Sequence, residues 1–386
     1  MDFSVQVVKH VIQENLAKGE SVVCSPASID AVLRILAVGS EKSTRKQLLN
    51  LLGYRNVGEL YAASTELAKV FKASEDTGTL QVSYVNGLWL DQRFTLKAEF
   101  EKVLKEVYHA QASVVDFVNQ PGEAVEKANL WAKKETKGLI KQILTRQNIN
   151  DQTVLLLANA LYFKGTWLES FDVKNTEDDF FNLLDGNKVR VPFMNQCCQS
   201  FNYGMTNECQ VIKMRYKRGS FDRNTIPKMF SMYIFLPFER NGLPDLIEKI
   251  KIDKDMFEKQ IKLEYVEVTK LSIPKFKFES YIPLKETMEQ LGLTLPFKQN
   301  CKDFSGMVNA ADPVYVSDMF QKCCVDTNEQ GTEAAAVTVA YNIIGCGEEE
   351  EAVPEVNFVA SHPFMFMIRE DISGALLFIG TMLNPE

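Results

Sequence analysis

Apolar residues recur at helical spacing through most of the first hundred residues. Ser25 is the predicted N-cap of one helix, with Pro26 in its first turn and a stop near residue 39. The next predicted helix has a capping-box spacing at Thr44 and Gln47 and ends at Gly53. A still earlier amphipathic helix buries one face, formed by Val5, Val8, Val11 and Ile12.

Strand patterns follow the helical part of the chain. Segments 80–90 and 153–163 are rich in branched and aromatic residues and too apolar for a wet face, which predicts two central strands. Helical spacing at 100–110 and 128–144 separates them, with Gly138 interrupting the second. Further strands are predicted at 230–237, 268–280, 362–368 and 375–382, with a helix at 283–293.

The order of these elements indicates the fold class. Helices and strands are mixed without a regular β-α alternation, so the prediction is an α+β fold. No internal repeat and no long Gly, Ser or Pro linker divides the chain. A single domain over residues 1–386 is therefore expected.

Charge narrows the possible partners. The 43 basic and 51 acidic residues give a net charge of -8, which argues against nucleic acid as the main partner. One local basic cluster, residues 213–228, is predicted to be a solvated loop, with a patch for a polyanion or an acidic partner as the alternative. No apolar run is long enough to span a membrane. The N-terminal segment lacks a signal-peptide pattern, which predicts an intracellular, cytoplasmic protein, with the nucleus left open.

Little in the sequence favours catalysis or metal binding. Only three histidines occur, and none lies in a nucleophile, phosphate or zinc motif, so neither an enzyme nor a cofactor is predicted. The eight cysteines are expected to be free thiols. Two adjacent pairs, Cys197-Cys198 and Cys323-Cys324, are not expected to hold one metal, because neighbouring strand residues point to opposite faces.

The segment 329–351, EQGTEAAAVTVAYNIIGCGEEEE, has no clear secondary-structure preference. Gly331 permits a sharp change of direction, and the residues from Thr332 to Tyr341 are mostly small or β-branched. Such a peptide could be exposed in one state and buried as a strand in another. From composition alone, a surface linker or a short alanine-rich helix is the simpler interpretation.

This stretch resembles the hinge of the serpin reactive-centre loop, and the resemblance extends over essentially the whole chain. SPASIDAVL, LLLANALYFKGTW, ASHPFMFMI and LLFIGTMLNP match serpin segments. LLDGNKVRVPFM and the acidic insert before VNFVASHPF look most like plant serpins. The resemblance implies a serpin fold, with three β-sheets, eight or nine α-helices and an exposed reactive-centre loop at about 329–353.

The family's activity follows from the same resemblance. A serpin inhibits a protease as a suicide substrate: the protease is acylated on the loop, and the cleaved loop inserts into the main sheet. The hinge meets the inhibitory pattern, so an inhibitor is expected; its residues are Gly331, Thr332, Glu333, Ala334, Ala335 and Ala336. The alternative is a non-inhibitory serpin that acts as a binding or storage module.

The resemblance also assigns residues beneath and above the sheet opening. The shutter beneath it would contain Ser25, Ser28 and Asn159, and the breach at the top would contain Trp167, Lys275 and Glu329. An ion pair between Lys275 and Glu329 is expected there. The family commonly has a histidine where this chain has Gln321, so an amide that does not titrate must remake the shutter hydrogen bonds.

Counting from the hinge as the family does puts the reactive bond at Gly345-Cys346, after Ile343 and Ile344. Glycine gives a serine protease no side chain to grip, whereas a papain-like cysteine protease could grip Ile344. That class is preferred over an elastase-like serine protease, and cleavage at Ile344-Gly345 stays open. The target protease is the expected partner of a monomeric inhibitor. Cys346 would be a slowly reacting thiol beside Glu348–Glu351.

Overall fold

A computed structural model describes residues 3–72, 79–218, 228–252, 256, 260–309, 312–332 and 355–386 of the 386-residue chain. These residues form eight α-helices: α1 (Phe3–Lys18), α2 (Pro26–Gly39), α3 (Lys42–Leu52), α4 (Val57–Lys72), α5 (Ala98–Val107), α6 (Pro121–Glu135), α7 (Leu243–Lys249) and α8 (Lys285–Gln290). In these ranges no helix combines the length and apolar character that crossing a bilayer requires.

The described strands fall into three sheets. The first nine are β1 (Val22–Cys24), β2 (Leu80–Asp91), β3 (Thr95–Leu96), β4 (Ala110–Val115), β5 (Leu155–Thr166), β6 (Glu177–Asn182), β7 (Lys188–Met205), β8 (Cys209–Arg215) and β9 (Phe230–Pro237). The others are β10 (Glu264–Pro274), β11 (Phe276–Pro283), β12 (Val308–Asn309), β13 (Val316–Asn328), β14 (Gly331–Thr332), β15 (Val356–Val359), β16 (Phe364–Glu370) and β17 (Leu376–Met382). The expected α+β fold with three sheets is confirmed.

A six-stranded sheet contains the two strands predicted to be central. Its order is β11-β13-β14-β5-β2-β4, with β13 also pairing directly with β5. The β5–β13 pair is parallel and includes the register Gln321 to Asn159, whereas β2 and β5 are antiparallel. Both β2 and β5 have a partner strand on each edge and are largely buried, which agrees with their predicted central position.

A nine-stranded sheet follows the order β1-β17-β16-β9-β8-β7-β10-β15, with β6 added to β7, and β3 and β12 form a small separate pair. The predicted strand at 268–280 is in fact two strands. β10 belongs to the nine-stranded sheet and β11 to the six-stranded sheet, so the chain changes sheets at Lys275. Pattern alone could not show this break, because the apolar alternation continues through it.

Apolar side chains fill both faces of the six-stranded sheet. Helix α2 covers one face of the sheet, and it is buried along its whole length. On the other side α6 covers β2, where Trp89 and Trp131 meet edge to face with ring centroids 5.1 Å apart. This packing places the end of β5 and the end of β13 beside each other at one pole of the sheet.

Two local predictions are wrong, while the Ser25 cap, the Gly53 stop and the break at Gly138 are confirmed. Helix α3 begins at Lys42, not at a capping box: Thr44 donates its backbone N–H to Asp303, and the Gln47 amide donates to Gly292. The first part of the basic cluster is not a solvated loop. Residues 213–215 lie in β8, and the rest of the cluster from 219 to 227 lies outside the described residues.

Candidate functional site

The short strand β14 sits at the top of the gap between β5 and β13. Thr332 pairs with Gly165 of β5 and with Thr327 of β13, and Gly331 pairs with Thr166 and Asn328. Both pairings are antiparallel, whereas β5 and β13 pair in parallel from Tyr162 and Cys324 downward. The first two residues of the predicted hinge therefore already act as a strand between them.

The entry point of β14 requires glycine. Gly331 has a φ of +155°, and a Cβ there would lie 1.9 Å from the backbone oxygen of Gly165. A Cβ on Gly165 would in turn meet the rings of Tyr216 and Phe163 at 2.7 and 2.8 Å. No side chain fits at Gly331 without moving the backbone of β5.

Thr332 is fully buried beneath this contact. Its hydroxyl shares a hydrogen bond of 2.8 Å with the Tyr216 hydroxyl. Burial raises the pKa of Tyr216, so the phenol stays protonated and can serve this bond at any physiological pH. The hinge is thus held by a neutral polar contact inside an apolar pocket.

Trp167 forms the other wall of the pocket. Its ring stacks on Tyr216 with centroids 4.5 Å apart, and its Nε1 donates to the Asn328 carbonyl at 2.9 Å. Its backbone N–H donates to Gln330 at 2.7 Å. Trp167 therefore binds both the end of β13 and the turn that leads into β14.

The ion pair expected between Lys275 and Glu329 is present. Lys275 Nζ lies 3.0 Å from Glu329 Oε1, which also accepts from the Thr176 hydroxyl at 2.9 Å. Burial alone would raise the pKa of the Glu329 carboxyl, but the hydrogen bonds and the Lys275 charge outweigh it and hold this pKa below its usual value. Glu329 stays ionised and links the sheet-changing residue Lys275 to the base of the hinge.

Below the gap, Gln321 binds the start of α2 through both ends of its amide. Gln321 Oε1 accepts from the Ser25 backbone N–H at 2.8 Å, and Gln321 Nε2 donates to the Ser25 carbonyl at 3.0 Å. Ser25 Oγ in turn accepts from the Ser28 N–H, which completes the cap of the helix. The amide thus supplies one donor and one acceptor at a position that does not titrate.

Asn159 lies beside Gln321 in the ladder but does not contact it through its side chain. Asn159 Nδ2 donates to Asn86 Oδ1 at 2.7 Å and to the Val85 carbonyl at 3.2 Å. Its Oδ1 and the Ser28 hydroxyl are buried without a hydrogen-bond partner in the described structure. Two unsatisfied polar atoms under the gap weaken the packing there.

The structure brings the predicted residues into two groups. Trp167, Lys275 and Glu329 surround the base of the hinge, and Ser25, Ser28 and Gln321 meet at the start of α2. The sequence analysis missed Gly165, Tyr216, Thr176 and Asn86. Nothing local identified Tyr216, since it lies within the basic cluster. The remaining hinge residues, Glu333 to Ala336, lie outside the described residues. The residues of the bait and of the reactive bond also lie outside them: Ile343, Ile344, Gly345 and Cys346.

Among the described residues, the cysteines and histidines do not form a metal site. The seven described cysteines are free, and the described residues hold no group of three metal-ligand side chains. His362 is buried against the Pro237 carbonyl, and its pKa is lowered by burial. His10 lies 3.3 Å from Glu14 on α1, and His109 is exposed.

Comparison with known proteins assigns this arrangement to a family. A family model described as Serpin (serine protease inhibitor) matches residues 1–385. Serpin-Z10 of Arabidopsis thaliana is 37% identical over 394 aligned positions, covering 100% of this chain and 97% of the relative. Serpin-Z1A of Triticum aestivum is 36% identical and covers 99% and 94%. The structure of Arabidopsis AtSerpin1 in its native stressed conformation superposes with a TM-score of 0.83 at 35% identity, over 100% of this chain and 99% of that one. The chain therefore belongs to the serpin family of serine protease inhibitors.

Proposed function

We propose that this serpin inhibits its target protease as a suicide substrate, and that it is not itself an enzyme and needs no cofactor. The observation that carries the proposal is the position of β14, which pairs with β5 and β13 at the mouth of an otherwise closed parallel pair. Further residues of the loop can extend β14 only by separating β5 from β13. Serpin loop insertion is a known case of strand addition.

The register of β14 defines how much loop the gap can accept. Position 342 lies ten residues beyond Thr332, and Leu155 at the start of β5 lies ten residues before Gly165. Extension of β14 would therefore pair positions 331 to 342 with β5. This length ends three residues before the proposed reactive residue Gly345. Gly331 and Thr332 are already paired, so about ten newly inserted residues would add on the order of 10 kcal/mol of hydrogen bonding at roughly 0.5–1.5 kcal/mol per net bond.

The covalent step uses the protease's own chemistry. The protease's serine or cysteine attacks the Gly345 carbonyl, forms an acyl bond and releases the amine of Cys346. Extension of β14 then carries the acylated protease away before water can cleave the acyl bond. The structure's contribution is a hinge of small residues, with Thr332 already buried and Gly331 already in register.

The proposed target is a papain-like cysteine protease, with an elastase-like serine protease as the second class. Ile343 and Ile344 supply the apolar side chains, and Gly345 supplies none. We further propose a monomeric, single-domain protein in a reducing intracellular compartment. The seven free cysteines, two of them exposed, support that compartment.

A non-inhibitory binding or storage role is favoured by one observation. Gln321 ties β13 to α2 with two hydrogen bonds, and both bonds oppose the opening of the gap beneath β14. If this link is too strong, loop insertion would be slower than deacylation. The protein would then be cleaved as an ordinary substrate.

A denaturing gel separates the two functions. The protein is mixed with papain-like and elastase-like proteases at equal active-site concentrations, and inhibition is expected to give a band at the summed mass. A protease inactivated at its nucleophile serves as the control and should give no such band. Complete cleavage of the loop without a covalent band by either class would contradict the proposal and favour the binding role.

A further inference from the structure

Two adjacent thiols lie exposed on β7. Cys197 and Cys198 are both free and exposed. Cys198 has a φ of +52°, a left-handed conformation that L residues with a side chain seldom adopt. The ladder between β7 and β10 pairs Cys197 with Lys270 and Gln199 with Val268, but it leaves Cys198 unpaired opposite residue 269.

This irregularity changes how the two side chains point. In a regular strand, neighbouring side chains point to opposite faces and their sulfur atoms cannot meet. The left-handed residue interrupts that alternation, and both side chains reach solvent. The two thiols interact: lowered hydration, the charges of Cys197 and Glu267 and a hydrogen bond to Cys197 together raise the pKa of Cys198. The regular strand alternation assumed in the sequence analysis therefore does not hold at Cys198, whereas the expectation that the doublet does not chelate a metal stays a prediction.

Residues with a side chain in this conformation cluster at functional sites, although Lys42, His109 and Lys137 also adopt it in this chain. The residue opposite Cys198, at position 269, is the extra residue of a bulge between β10 and β15, since Val268 pairs with Val356 and Lys270 with Asn357. The thiols thus lie at the one place in β7 and β10 where the ladder is loose enough to accept a change of backbone shape.

We propose that Cys197 and Cys198 form a redox-active vicinal dithiol, which a small-molecule disulfide such as oxidised glutathione converts into an intramolecular disulfide. One thiolate attacks the glutathione disulfide, forms a mixed disulfide and releases one glutathione thiolate. The neighbouring thiolate then attacks the protein sulfur of that mixed disulfide and releases the second glutathione. The two cysteines lose two protons and two electrons, and one glutathione disulfide is reduced to two thiols.

A second pair of adjacent cysteines serves as an internal control for the proposed dithiol. Cys323 and Cys324 are also adjacent, but they lie in the regular ladder of β13, paired with Leu161 and Tyr162, and both are buried. The pKa is raised for Cys323 as it is for Cys198, so access separates the doublets: a glutathione disulfide can reach the exposed pair but not the buried one. This second doublet should remain reduced under conditions that oxidise the first.

The test uses the full chain with Cys346→Ser, which removes the thiol at the proposed reactive bond. The folded protein is incubated with oxidised glutathione, quenched with acid, alkylated in denaturant and digested for mass spectrometry. We expect the peptide with residues 197 and 198 to lose both alkylation sites and two hydrogen masses without retaining glutathione. The peptide with Cys323 and Cys324 should remain fully alkylated.

Single variants test the second step. Cys197→Ser and Cys198→Ser should each accumulate a stable glutathione adduct on the remaining thiol, whereas the parent protein should not. The proposal is overturned if the parent retains a glutathione adduct as the single variants do, or if its doublet stays fully alkylated. Circular dichroism of each variant checks that the fold is kept.

Discussion

At the scale of single residues, the hinge depends on small side chains in fully enclosed positions. Thr332 is fully buried, shares its hydroxyl with Tyr216 and lies next to a glycine that no other residue could replace. A charged group at this position would lose its hydration without gaining a partner. A charged substitution at Thr332 is therefore expected to disrupt β14.

Thr332→Arg is expected to turn the inhibitor into a substrate. Burying the guanidinium would cost several kcal/mol, so β14 could neither form nor extend before deacylation. The measurement is the yield of covalent complex on a denaturing gel, together with the rate of loop cleavage. Thr332→Ser, which keeps the hydroxyl for Tyr216, is the matched control. A normal yield of complex from the arginine variant would contradict this prediction.

Glu329→Gln should lower the free energy of unfolding by about 1–2 kcal/mol at neutral pH, because the amide loses the charge-assisted bond to Lys275. The pKa of Glu329 in the folded chain lies below the usual 4.5, so its stabilising contribution is complete above that pH. The contribution is lost as the pH falls through the folded-state pKa.

Urea unfolding at a series of pH values measures this difference. The gap between the parent and the Gln variant should close on acidification. Glu355→Gln, at an exposed position, is the control and should show no gap. A gap that stays constant from neutral pH to pH 3 would show that the carboxylate charge is not what stabilises the hinge.

At the scale of elements, the local sequence pattern predicts those strands that are themselves buried on both faces. Segments 80–90 and 153–163 were predicted because β2 and β5 are buried on both sides. β13 was missed because Asp318, Lys322 and Asp326 follow one face of it and give it a mixed composition. The start of α3 was misplaced because Asp303, distant in sequence, caps it. Such contacts are set by tertiary structure and leave no local signal.

In the candidate site, too, some residues could be identified from the sequence and others depend on tertiary contacts. The resemblance identified Trp167, Lys275 and Glu329, but not Tyr216 or Gly165, which complete the pocket around the hinge. Tyr216 lies among basic residues in the sequence but is buried, because Trp167 and Phe163 pack against its ring. Its position depends on an isolated bridge between the ends of β5 and β8, which no periodicity can reveal.

Gly331→Ala tests whether the observed pairing of β14 with β5 and β13 matters for loop insertion. The added Cβ would collide with the Gly165 carbonyl, at a strain of about 1–3 kcal/mol, and this corresponds to about ten- to hundredfold slower insertion. The ratio of complex to cleaved product, measured by gel densitometry, should fall accordingly. Gly122→Ala at the start of α6, where the new Cβ meets nothing, is the control. An unchanged ratio would show that insertion does not begin from the observed position.

At the scale of the whole molecule, the six-stranded sheet has a built-in path to a more stable form. β5 and β13 share one parallel ladder, and an antiparallel strand inserted between them would replace that ladder with two antiparallel ladders. The structure with only β14 in place is then kept by a kinetic barrier, not by being lowest in free energy. Cleavage of the loop removes that barrier.

Cleavage in the proposed loop is therefore expected to raise the melting temperature by more than about 10 °C. The measurement is calorimetry before and after limited proteolysis, with the cut position verified by mass spectrometry. Thr332→Arg, cut at the same bond, should show no such increase. An unchanged melting temperature of the cut parent would contradict strand insertion.

The position of β16 and β17 in the nine-stranded sheet has a consequence for synthesis. Among the described strands, β1, near the start of the chain, has β17 as its one ladder partner, and β17 together with β16 is made after every other described strand. The ribosome therefore releases most of the chain before this sheet can close. Until then one hydrogen-bonding edge of β9 has no partner strand, so slow closure of the sheet favours aggregation, and production of this inhibitor is expected to depend on chaperones.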